Sequence, residues 1–214
     1  MTKTYVRQIK VRRWFPARDP VAAHIARLCI LREDFAIEMS GIHASEIKKL
    51  DGNDVVYRKF YFWRRLVGTL GEIRSAFRTL EQVPDFQLII NEQTKEWRQW
   101  FKSSIDQLET DRELIRTTRD SLGGHVLHTA VQTALNSMPG ENFSYLEVGA
   151  TAGKTHYRFA AEIAGEMLHQ TDAPEPQRQA NLHSQFVAIA EHLTVFSLID
   201  TIFEMYVDSR KLLK

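Results

Sequence analysis

The chain has 214 residues, long enough for one large domain with a sizeable core, and 43% hydrophobic with 26% charged residues is an ordinary globular composition. Lys and Arg number 28 against 27 Asp and Glu, so no global field draws the protein to nucleic acid or to a membrane, and any such role falls to a local patch. The single cysteine, Cys29, excludes an intrachain disulfide framework and fits a reducing compartment. Among Leu28, Ile30 and Leu31 it reads as a buried structural thiol.

Residues 1–18 are basic and weakly alternating (Tyr5, Val6, Ile9, Val11) and end in Trp14-Phe15-Pro16, which reads as an extended arm packed on a single domain spanning 19–214. No apolar signal-peptide core follows Lys3, Arg7, Lys10, Arg12 and Arg13, and a cytoplasmic protein is expected. Asp19-Pro20 is a helix start, an N-cap acid followed by Pro at the first position. From there Val21, Ile25, Leu28, Arg32, Phe35, Met39 and Ile42 recur at spacings of four and three, one face of a bundle helix, closed by Gly41 and the Asp51-Gly52-Asn53 turn.

A second helix runs from Asp54 to about Gln82 with two stripes, Phe60, Trp63, Val67, Leu70, Phe77 and Phe62, Leu66, Ile73, Leu80, and so contacts two neighbours before Pro84 stops it. Asn91 is expected to cap a third helix through Trp97, Phe101, Ile105, Leu108, Arg112, Ile115 and Arg119; its tryptophans, like Trp63, read as core or interface. A short helix follows over 125–137, ended by Pro139-Gly140. Then come a strand or extended loop at 143–148, a helix of about 155–170, and a final helix of about 178–212 with the stripe Leu182, Phe186, Ile189, Leu193, Phe196, Asp200, Phe203 and Val207. Asp200 and Glu204 interrupt the late apolar run, so it is no membrane span. The expected fold is all-α: four long helices in an up-and-down-like bundle, with two short helices and a loop inserted at about 126–175.

Three charges stand inside apolar stripes, Arg32, Arg74 and Asp200. A charge in a seam costs several kcal/mol, as an order of magnitude, unless it is paired. Structural pairing is the expectation, Asp200 with Arg32 or Arg119 first.

The chemistry concentrates in Arg119-Asp120-Ser121-Leu122-Gly123-Gly124-His125. The Gly-Gly pair breaks the third helix and leaves an inward-facing Arg and a His on either side of the bend. On its own this is a helix stop with dipole-compatible residues, Arg119 and His125 stabilising the bend of a non-catalytic interaction protein. Alternatively the His moves a proton to or from a ribose oxygen and the guanidinium holds two oxygens of a pentacoordinate phosphate.

Arg119-Asp120 followed by His125 resembles the signature of HEPN domains (higher eukaryotes and prokaryotes nucleotide-binding), helical bundles in which an Arg followed by Asn, Asp or His precedes a His by a few residues. The resemblance covers the helix order from about 19 to 212 and a motif of three residues; Gly123-Gly124 and the inserted 126–175 depart from it. It implies metal-independent RNA cleavage of toxin or defence type in a homodimer whose two motifs line one cleft, with an antitoxin or other protein as a further partner. Carried over, Arg119 and His125 would be catalytic and Asp120 would orient them. Arg116 and His128, with Lys154, His156 and Arg158, form the local basic surface expected to meet the substrate. Gly149-Ala-Thr-Ala-Gly153-Lys154-Thr155 has three residues between its glycines where a phosphate-binding loop has four, and reads as a helix entry. A single Glu166-x-x-His169 is half of what a di-iron bundle needs, so neither a metal nor another cofactor is expected.

Overall fold

The computed structural model describes residues 8–44, 52–110, 112, 115–116, 119, 128–140, 144, 146–147, 156–157, 159–169 and 195–212. In chain order these form α1 (Val11–Trp14), α2 (Ala22–Ala44), α3 (Gly52–Glu81), α4 (Pro84–Asn91), α5 (Lys95–Thr110), α6 (His128–Ser137), β1 (Leu146–Glu147), β2 (His156–Tyr157), α7 (Phe159–His169) and α8 (Val195–Ser209). The class is all-α; the only strands among the described residues are β1 and β2, two residues each and antiparallel, with Leu146 opposite Tyr157 and Glu147 opposite His156.

The centre is α3. Leu66, Val67, Leu70, Ile73, Phe77 and Leu80 are all fully buried, each contributing about 1.5–3 kcal/mol by removal from water. Two stripes on one helix require partners on two sides: α2 packs along α3, while α4, α5 and α7 also touch it. The α2 face is the predicted one, with Val21, Ile25, Leu28, Phe35 and Ile42 buried. Near its end the helices approach so closely that a Cβ at Gly41 would lie 2.5 Å from the Phe62 ring, and only glycine leaves room for it. α8 closes the core against α2 and α4.

Several expectations are corrected. In the described part of the N-terminal arm Val11–Trp14 form a one-turn helix rather than extended chain: Trp14 is buried and stacks on Phe203, Phe15 stacks on Tyr206, and the Tyr206 hydroxyl donates to the Trp14 carbonyl at 2.8 Å. Pro84 ends α3 but also opens α4 as its first residue, where a missing N–H costs nothing. Asn91 therefore closes α4 and does not cap the next helix. Thr94 does, its Oγ1 accepting the Trp97 amide at 3.2 Å. The helix expected at 155–170 begins at Phe159, because His156 and Tyr157 are committed to β2. On α8 the deepest face is Val195, Leu198, Ile199, Ile202 and Tyr206, with Phe196, Asp200 and Phe203 half-buried on its flank. Residues 178–194 of the expected final helix lie outside the described residues.

The charged residues in the seams are paired, as expected. Arg32 grips Asp200 with both arms of its guanidinium, Nε to Oδ1 at 2.6 Å and the terminal nitrogen to Oδ2 at 3.1 Å, and lies 5.2 Å over the Phe196 ring. Arg74 holds Glu109 in the same two-armed way at 2.9 and 3.0 Å, and Arg78 adds a third contact at 2.6 Å. At the base of the fold Asp19 accepts the Val21 amide at 2.9 Å and both arms of Arg210 at 2.8 and 3.0 Å, joining the start of α2 to the end of α8.

Candidate functional site

Arg119, beyond α5, is half-buried and lies against α3. Ile115, four residues earlier and buried, lies on the same side. What Arg119 lies against is Gly71 of α3, itself buried. A Cβ added at that glycine would stand 3.1 Å from Arg119 Cδ, 3.6 Å from its Nη1 and 3.7 Å from Ile115 Cγ2. The absence of a side chain at position 71 makes room for the stem and guanidinium of Arg119, a relation that no spacing along the chain reveals.

The other members of the predicted constellation are placed unevenly. Arg116, three positions before Arg119, is exposed, and His128 is exposed as the first residue of α6. His156 belongs to β2, opposite Glu147. Asp120, His125, Gly123-Gly124, Lys154 and Arg158, with the Gly149–Thr155 loop, lie outside the described residues. Asp200 has both carboxylate oxygens engaged by Arg32, the first of its two expected partners. Among the described residues no group of three His, Cys, Asp or Glu side chains is arranged to hold a metal ion, and no helix is long and apolar enough to cross a membrane.

Two features escaped the sequence. The first is Glu38, buried on α2. Burial pushes its carboxyl above the ordinary range, partly offset by hydrogen bonding with Thr69 and by Arg65, whose Nε lies 3.5 Å from Oε1; Oε2 has no hydrogen-bond partner. The second is a depression of about 360 Å³ between the end of α3, α4 and α5. Ile90, Phe101 and Ile105 form its floor, the Arg78–Glu109 pair one wall, and Arg98 and Lys102 part of its rim. Gln87 helps fix its shape by donating from Nε2 to the Glu81 carbonyl at 2.7 Å, which ties α4 to the last turn of α3. The one trace of it in the sequence is the four-residue spacing of Arg98 and Lys102, which sets both on one helix face.

Exposed apolar side chains also gather at β1 and β2. Leu146 and Tyr157, opposite each other, are 56% and 57% exposed, and Phe159 meets Tyr157 edge-on with ring centroids 5.8 Å apart.

Comparison with known protein families, with curated proteins and with solved structures yields no match to this chain.

Proposed function

We propose that the protein is a HEPN-like, metal-independent endoribonuclease of toxin or defence type, acting as a homodimer, with Arg119 and His125 as its catalytic pair. One observation supports this above the others: Arg119 is half-buried against α3, where the absence of a side chain at Gly71 leaves room for its stem and guanidinium. In the proposed reaction His125 takes the proton from the ribose 2′-hydroxyl, whose oxygen attacks the adjacent phosphorus. The 5′-oxygen leaves and takes up a proton, and the product ends in a 2′,3′-cyclic phosphate. The Arg119 guanidinium holds the two non-bridging oxygens as charge builds on them. Asp120 orients the pair, and Arg116, His128, Lys154, His156 and Arg158 supply the basic surface for the strand.

The test is cleavage of an end-labelled RNA pool in excess EDTA, with product ends mapped. The parent is expected to give cyclic-phosphate ends, and His125→Ala to lose at least a hundredfold in rate while keeping the parent's helical circular dichroism. Products with 3′-hydroxyl ends, or undiminished cleavage by His125→Ala, would refute the mechanism.

A second reading has its own support. The exposed Leu146, Tyr157 and Phe159 are the kind of apolar cluster that marks a protein contact, and under that reading the chain is a non-catalytic interaction protein in which Arg119 and His125 stabilise the bend. A folded parent that leaves RNA intact favours it.

A further inference from the structure

The wedge between α3, α4 and α5 takes no part in the proposed reaction. Its lining, from Arg78 to Glu109, includes none of the residues assigned to that reaction. Its floor is apolar and its wall is fixed, because Glu109 is held by Arg74 and Arg78 and cannot swing toward the rim. Its volume of about 360 Å³ falls at the small end of the roughly 300–1,000 Å³ typical of ligand pockets. Arg98 and Lys102 are exposed and, among the described residues, have no counter-ion on the protein, unlike Arg32, Arg74 and Arg210. Three carboxylates also line or approach the wedge, Glu81, Asp106 and Glu109. Against them on the lining stand Arg78, Arg98 and Lys102, so the charges balance in number, and Arg74 behind the wall further neutralises Glu109. Burial pushes the Glu81 carboxyl upward, partly offset by Arg78, and the neighbouring Asp106 and Glu109 push the same way.

We propose that this wedge is a binding site for a small amphipathic anion, whose carboxylate or phosphate head is held by Arg98 and Lys102 and whose apolar body lies on Ile90, Phe101 and Ile105. The guanidinium of Arg98 offers a planar fork to two oxygens of the head, and Lys102 one turn along adds a point charge. The floor removes the ligand's apolar body from water, so the head alone binds less well than the head with its body. The proposal is independent of the ribonuclease reading.

The experiment is isothermal titration calorimetry of the full chain at low ionic strength with phenyl phosphate, phenylacetate and inorganic phosphate. Phenyl phosphate or phenylacetate is expected to bind at least tenfold tighter than inorganic phosphate, and the tighter of the two identifies the head. The double variant Arg98→Gln/Lys102→Gln is expected to weaken that binding at least tenfold. Glu109→Gln, which removes the carboxylate and leaves its two arginines, should tighten it. Equal affinity for inorganic phosphate, affinity unchanged in the double variant, or no heat at millimolar concentrations of either aromatic probe would overturn the assignment.

Discussion

The seams around α8 and the wedge between α3, α4 and α5 both set charged side chains against apolar surface, and they do so in opposite ways. At the seams the charges are answered across helices: Arg32 by Asp200, and Arg210 by Asp19, which also accepts from the Tyr206 hydroxyl at 3.2 Å. On the rim of the wedge Arg98 and Lys102 are answered by nothing among the described residues. The first arrangement offsets the desolvation of each charge and fixes how the helices meet. The second leaves the electrostatic attraction unused in the fold and available to a ligand. A charge in an apolar stripe thus has two meanings, and only the identity of its neighbour on the next helix separates them.

Substitutions at the two regions should therefore separate stability from binding. The largest stability effect is expected for Asp19→Ala, which removes the acceptor of the Val21 amide, of both Arg210 nitrogens and of Tyr206, at about 2–3 kcal/mol in chemical denaturation. That loss depends on pH. Burial pushes the Asp19 carboxyl up, but the hydrogen bonds from Arg210 and the Val21 amide outweigh it and hold the carboxyl below its ordinary value of 3.8. The contribution is complete above that value and disappears as pH falls through the lower value of the folded state, so parent and variant curves should converge in strong acid. The same cluster acts on Tyr206, whose hydroxyl is pushed up to about 12 by burial and by Asp19 and remains a donor across the neutral range. Next in size is Glu109→Gln, about 1–2 kcal/mol, since it leaves Arg74 and Arg78 facing each other across a weaker acceptor. Arg98→Gln/Lys102→Gln should shift stability by no more than about 0.5 kcal/mol. A larger loss there would mean that the rim cations serve the fold, and the contrast between the regions would fail.

The sequence makes the seams readable because periodicity alone places Arg32, Arg74 and Asp200 inside apolar stripes, where a charge must find a partner. Arg74 shows the limit of that reasoning, since the stripe marks the residue but not Glu109, which sits on the partner helix. The start of α2 is equally plain, as Asp19 carries the acceptor that Asp-Pro predicts. α4 escapes because Pro both stops one helix and opens the next, and an eight-residue helix shows barely two turns of pattern. On α8 the apolar residues Val195, Phe196, Leu198, Ile199, Ile202 and Phe203 fall in adjacent pairs, so two neighbouring stripes compete and the deeper face is decided by what packs there. Two-residue strands such as β1 and β2 are too short for any alternation to register. Within the candidate site, the inward direction of Arg119 follows from Ile105, Leu108 and Ile115. Its accommodation by Gly71 does not, because that glycine is 48 positions away and belongs to α3.

The most direct test of the catalytic account compares Arg119→Ala with the parent in two readings, the rate of labelled-RNA cleavage in excess EDTA and the midpoint of urea unfolding. The account predicts that the parent cleaves and that the variant loses at least a hundredfold in rate, with its unfolding free energy changed by about 1 kcal/mol or less. Cleavage by the variant at the parent's rate would contradict it. So would a parent that leaves RNA intact while Arg119→Ala loses several kcal/mol of stability, because Arg119 would then belong with Arg32 and Arg210 among the residues that hold the helices together.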